Sequence, residues 1–233
     1  MNGQDPSDLL QETVGDGLIH LDWEPCCNAR LLEGLPARGG VVCDLIRSDA
    51  PDLVEPTLLR QEQVTTVIDL RNDDERPQAR HTTLHLPLDG MEDREFWGPL
   101  ERTWAYGCPI YYLPHVRRMP ERSLRVLEAM ATAPPGRVLF HCQVGRDRTG
   151  LIAILALLAL GVSLETVAQD YLVGRQRLLR RPAHREEEML AYLAARGLTL
   201  EGLLQDTLTQ LVELNLVDTQ LTQRLRARFV RAI

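Results

Sequence analysis

Residues 137–150 read RVLFHCQVGRDRTG. Arg137 to His141 is a short apolar run with a β-branched and an aromatic residue, and it predicts a buried strand. An apolar helix follows from about Thr149 to Leu160. Between them lies a loop in which Gly145 and Gly150 allow a sharp bend and a close backbone approach. A strand that passes through a tight glycine loop directly into a helix is an α/β unit.

The flanking sequence extends the unit. Thr65 to Arg71 (TTVIDLR) is β-branched and ends in charge, as a buried strand does. Val41 to Ile46 and Thr82 to Leu88 predict two more strands. Glu55 to Gln63 predicts a short helix with Pro56 in its first turn. Asn72 to Arg80 is charged, contains Pro77 and reads as a loop. Arg122 to Ala133 predicts a helix stopped by Pro134, Pro135 and Gly136. Beyond residue 164 leucines recur at helical spacing over 164–179, 185–196, 200–215 and 219–232. Residues 1–20 are polar and read as a loose arm or first short strand. The expectation is one domain over 1–233: an α/β fold with a central, mostly parallel sheet flanked by helices, and a helical C-terminal part over 164–233.

The chain has 233 residues, 44% of them hydrophobic and 25% charged, which are ordinary globular proportions. All 26 basic residues counted as Lys plus Arg are arginine. That excludes a Schiff-base lysine and the lysine of a GxxxxGK[ST] nucleotide loop. A net charge of −7 argues against nucleic acid or an anionic membrane as the main partner. A small anion in a local positive pocket remains compatible with it. The longest apolar run, Leu151 to Val162, is too short to span a bilayer. Five cysteines with no CxxC pair, and no leader sequence, predict a reducing cytoplasm.

The loop carries the chemistry. Cys142 stands at the strand end, and Arg148 lies six residues on, at the helix start. A tight loop there turns backbone N–H groups inward to form an anion nest, to which the helix dipole adds positive potential. Arg148 can fork onto two oxygens of a tetrahedral dianion. Phosphate-binding candidates are therefore Gln143, Val144, Gly145, Arg146, Asp147 and Arg148. A cysteine in such a nest favours its thiolate, below the free value of ~8.5. Thr149 is placed to hydrogen-bond the sulfur. A nucleophilic sulfur under a phosphate cradle implies a phosphocysteine followed by attack of water. Arginine and amides perform the charge stabilisation, so neither a metal nor a cofactor is required.

The string HCxxGxxRTG at a strand-to-helix junction resembles the cysteine-dependent protein-tyrosine phosphatase superfamily. VGRDRTG is similar to the AGKDRTG loop of a bacterial group of tyrosine and lipid phosphatases. Asn28-Ala-Arg, Gly34-Leu-Pro, Ile46-Arg-Ser-Asp49 and Val67-Ile-Asp-Leu-Arg71 fall in the order that group shows. The resemblance covers most of residues 28–232 and implies the tyrosine-phosphatase fold and a phosphomonoesterase. This chain departs from it at Arg146, where the group has lysine, at Val144, and at NARLLEG (28–34), where it has a sequence near NFRDLGG.

A leaving oxygen needs a proton. Asp147, inside the loop, is the first candidate, since the resembling phosphatases carry Asp there. Asp89, after the strand ending at Leu88, is the second. Asp69 and Arg71 end a strand, and Arg71 either meets substrate or braces the loop. His141 is expected to orient the loop. Arg175, Arg177, Arg180 and Arg181 read as a solvated helix face or an aid to anion binding. Residues 89–120 gather five of the eight Trp and Tyr residues, broken by Gly and Pro. They form either a satellite core cluster or a lid whose Trp97, Trp104 and Tyr106 stack on substrate. Two partners fit: a phosphorylated protein, or a small metabolite such as a sugar or nucleoside 5′-phosphate.

Overall fold

The computed structural model describes residues 18–76, 80–179 and 186–233, with Trp104 described by its backbone alone. Residues 1–17, Pro77, Arg180, Arg181 and Arg185, on which sequence expectations fall, lie outside the described residues. The chain opens with β1 (Ile19–His20) and β2 (Arg30–Leu31), then β3 (Pro36–Ala37), β4 (Gly40–Val42) and β5 (Leu45–Ser48). Helix α1 (Pro56–Gln61) leads to β6 (Val64–Asp69) and β7 (Leu84–His85). The helices α2 (Arg94–Glu101), α3 (Tyr112–Arg118) and α4 (Pro120–Thr132) precede β8 (Arg137–His141). The remainder is α5 (Asp147–Leu160), α6 (Leu164–Leu179), α7 (Glu186–Ala194), α8 (Leu200–Leu214), α9 (Thr219–Phe229) and β9 (Val230–Arg231).

The main sheet has the order β1-β2-β5-β8-β6-β7. Strands β5, β8, β6 and β7 run parallel, and β1 and β2 continue the sheet antiparallel. Ser48, His141, Asp69 and His85 share one row at the carboxyl ends of the parallel strands. The loop 142–146 leaves from that row, which is where open α/β sheets place their ligands. Helix α5 is apolar on every side, with 12 of its 14 residues buried, so it must run through the interior. Helices α6, α8 and α9 cover it.

Two strand expectations change. Val41 to Ile46 is not one strand. Asp44 takes a left-handed conformation, φ 59°, which Asp tolerates better than most residues. Its carboxylate is gripped by Arg228 and Arg231. The break sends β4 into a second antiparallel sheet with β3 and β9, while β5 enters the main sheet. For the same reason the last helix stops at Phe229, and Val230–Arg231 pair with β4. The strand expected over Thr82–Leu88 contracts to Leu84–His85.

Candidate active site

Three consecutive carbonyls of the loop face the scaffold. Ala50 N donates to the carbonyl of Gln143 at 3.2 Å. Asn28 Nδ2 donates to those of Val144 (3.2 Å) and Gly145 (3.4 Å), and Arg47 Nη2 donates to Gly145 at 2.9 Å. In a planar trans peptide the next N–H points opposite to the carbonyl. The amides of Val144, Gly145 and Arg146 are thereby turned to the other side, as an anion nest needs. Gly145 sits at φ +68°, and a Cβ there would meet Asp49 N at 2.6 Å, so only glycine fits.

The tethers are themselves fixed. Buried Asp170 of α6 accepts from Arg30 Nε at 2.8 Å and also binds Arg47. Arg30 Nη1 holds the Asn28 amide oxygen at 2.9 Å. Asp49 accepts from the backbone N–H groups of Cys27 (2.9 Å) and Asn28 (3.0 Å). The sequence motifs around Asn28, Arg30 and Arg47 carry no sign of this role, and no local pattern marks Asp170. Two arginines of unlike strands converging on one buried helix carboxylate leave no local signal.

Cys142 is buried at the floor, 3% exposed. Arg148, in the first turn of α5, is forked onto Glu75, with Nη1–Oε2 2.5 Å and Nη2–Oε1 2.7 Å. Glu75 belongs to the capping box that Asn72 begins. Asp89 lies 3.3 Å from Arg148 Nη1. It accepts from Asn72 Nδ2 at 2.9 Å and is 1% exposed. Burial pushes its carboxyl above the usual range, against the pull of Arg148. Asp147 instead accepts from Arg146 Nε at 2.7 Å and lies 3.5 Å from Arg175 Nη1. Arg146 and Arg175 also face Glu186, completing a four-charge network. Arg175 is thus a buried partner of the loop and not part of a solvated face. Arg177 Nε donates to the carbonyl of Cys27 at 2.5 Å.

The remaining candidates take supporting positions. Arg71 is bound by Asp69 and by Asp52, at 2.8 Å and 2.6 Å, and reaches Gln143 Oε1 at 3.4 Å. Those contacts make it a brace. Burial works to raise the Asp69 carboxyl, but the hydrogen bonds of Arg71 and Arg76 and the charge of His141 hold it well below the usual range. His141 Nδ1 meets the Cys142 carbonyl at 3.2 Å, in contact with the loop, and burial lowers its pKa. Thr149 does not bond the sulfur. Its Oγ1 is buried without a hydrogen-bond partner. Trp97 offers no face to a ligand: it is 0% exposed, and its indole N–H donates to the Asp89 carbonyl at 2.8 Å. Tyr111 and His115 pack on its ring, and His115 Nε2 also meets the Asp89 carbonyl, at 3.2 Å. Tyr106 also touches the Trp97 ring, but it reaches the wall of a cavity of about 740 Å³ beside Glu75 and Asn72. The Trp104 side chain lies outside the described residues.

A cysteine at a sheet's carboxyl edge, an inward amide loop and an arginine on the following helix define the class of protein to which this chain belongs. It is a member of the tyrosine phosphatase family, whose model matches residues 21–226. A Cupriavidus necator protein named for tyrosine-protein phosphatase activity is 30% identical over 177 residues, 69% of this chain and 65% of that one. The triple specificity protein phosphatase PtpB of Mycobacterium tuberculosis is 31% identical over 113 residues, 45% of this chain and 40% of its own. A tyrosine-protein phosphatase of Nostoc commune is 36% identical over 63 residues, 27% of this chain and 21% of that one. The matches thus span less than two thirds of each relative's length.

Proposed function

We propose that the whole chain acts as one catalytic domain, a metal-independent phosphomonoesterase that works through a phosphocysteine. Cys142 attacks phosphorus while Arg148 and the loop amides hold the three non-bridging oxygens. The bond to the leaving oxygen breaks, and that oxygen takes a proton from Asp89. Water then attacks the phosphocysteine, returns a proton to Asp89 and releases the thiolate with phosphate. The juxtaposition of Asp89 and Arg148 carries the reading: a buried carboxyl with a raised pKa beside the cation that grips phosphate. Asp147, the first candidate from sequence, is held between two guanidinium groups and serves better as a brace. Substrate must displace Glu75, because both anions compete for the same fork of Arg148.

The cavity beside Glu75, the carboxylate that holds Arg148, supports phosphotyrosine on protein as the substrate. Its wall includes Asp73, Asp74, Glu75, Glu92 and Glu101, against Arg94 and Arg122. Those two arginines pair with Glu101 and Glu92. Such a wall repels a second phosphate and suits a phenol flanked by neutral or basic residues. Five free thiols fit a reducing cytoplasm. The test is kcat/KM across phosphotyrosine peptides with basic or acidic flanks, sugar phosphates, nucleoside 5′-phosphates and phosphoinositides. A basic-flanked peptide is expected to rank first. A phosphoinositide or a sugar phosphate ranking first contradicts the reading.

A further inference from the structure

A second cavity, about 310 Å³, lies at the far end of α5 from the loop. Its apolar wall is Leu155 and Leu158 of α5, Leu211 and Val212 of α8, and Leu216 and Val217 beyond it. Arg38 and Arg226 complete the lining. The base of the Arg38 side chain and the Arg226 guanidinium both border Gly161, where a Cβ would stand 2.6 Å from Arg38 Cβ and 3.4 Å from Arg226 Nη2. Arg226 Nε donates to the carbonyl of Ala159 at 2.9 Å, and among the described residues its two terminal nitrogens make no hydrogen bond. The backbone N–H of Arg38 donates to the carbonyl of Leu160 at 3.1 Å. Among the described residues, no carboxylate pairs with either guanidinium. Burial and the charge of Arg38 both push the Arg226 guanidinium down, with no acidic group to compensate. Arg226 is half-buried and Arg38 exposed, so two like charges stand at the mouth of an apolar cavity with no acidic partner among the described residues.

We propose that this cavity binds a single-chain aliphatic carboxylate. The planar carboxylate matches the open forks of Arg226 and Arg38, and the chain lies along the leucine and valine wall. At ~30 Å³ per group the cavity holds about ten heavy atoms, so a chain of roughly eight carbons fills it. This site shares no residue with the cysteine loop and does not depend on the reaction assigned there. Its ligand would nevertheless bear on the helix whose first turn carries Asp147 and Arg148.

Calorimetric titration of the full chain with sodium octanoate tests it. One saturable site is expected. Octanol, with the same chain and no charge, and acetate, with the same head and no chain, should bind at least tenfold more weakly. Arg38→Gln should weaken octanoate at least tenfold. So should Val212→Glu, which sets a carboxylate at the rim on a residue that is 50% exposed and tolerant of change. The proposal is overturned if octanoate does not saturate, if octanol binds as well, or if both variants bind octanoate as the parent does. It is overturned equally if saturating inorganic phosphate abolishes octanoate binding, which would place the carboxylate in the cysteine loop. Binding to anionic phospholipid vesicles without octanoate binding would assign the face to a membrane instead.

Discussion

Asp89 and Asp147 are two carboxylates in unlike surroundings near one loop, and the proposed mechanism gives them different work. Asp89 is buried with its carboxyl raised, so it retains a proton at higher pH than a free aspartate. Asp89→Asn should slow alkyl phosphates on the order of 100- to 10,000-fold, sparing nitrophenyl phosphate, and should remove the alkaline limb of the pH–rate profile. Asp147→Asn should slow both leaving-group types alike. The reverse pattern in steady-state kinetics would exchange the two roles. In the proposed mechanism Glu75 competes with phosphate for the fork of Arg148. Glu75→Gln should therefore tighten inhibition by inorganic phosphate about threefold to tenfold, the equivalent of ~1 kcal/mol. Weaker inhibition would mean that Glu75 positions Arg148 and does not compete with phosphate.

Elements explain which expectations held. Strand β8 and the helix after it were legible because an apolar run, two glycines and an apolar helix follow one another without interruption. The chain's last helices were legible from leucine spacing. Two features were not: the break at Asp44, and the grip of α6 on the loop through Asp170, Arg30 and Arg47. Each rests on residues distant in sequence, where no local pattern records the partner. The aromatic window was legible as a cluster, but not as lid or core. Packing decides for Trp97, which braces Asp89 from inside. Trp97→Ala should cost about 3–5 kcal/mol and lower Tm by roughly 10 °C, with activity falling on every substrate alike. A calorimetric melt unchanged by the substitution, with a rise in KM for one substrate only, would restore the lid reading.

At the scale of the whole molecule, two buried histidines set an acid limit. Burial lowers the pKa of His115 and of His141 below 6.5, so both are neutral in the folded chain. The unfolded chain binds those protons first as pH falls. These two groups therefore leave stability flat between about pH 6.5 and 8 and lower it below that, by up to about 2.7 kcal/mol per pH unit for two protons. Denaturant titrations between pH 8 and 5 check this, and a flat profile would place both rings in contact with solvent.

The proposed phosphocysteine is the centre of the proposed mechanism, and it can be trapped. Enzyme mixed with excess nitrophenyl phosphate is quenched in acid within a turnover and digested for mass spectrometry. The peptide bearing Cys142 should carry one added phosphoryl group, bound through sulfur, and the Cys142→Ser protein should show none and release no phosphate. Phosphate release at the full rate by Cys142→Ser, or a phosphoryl group found on any other residue, would contradict it.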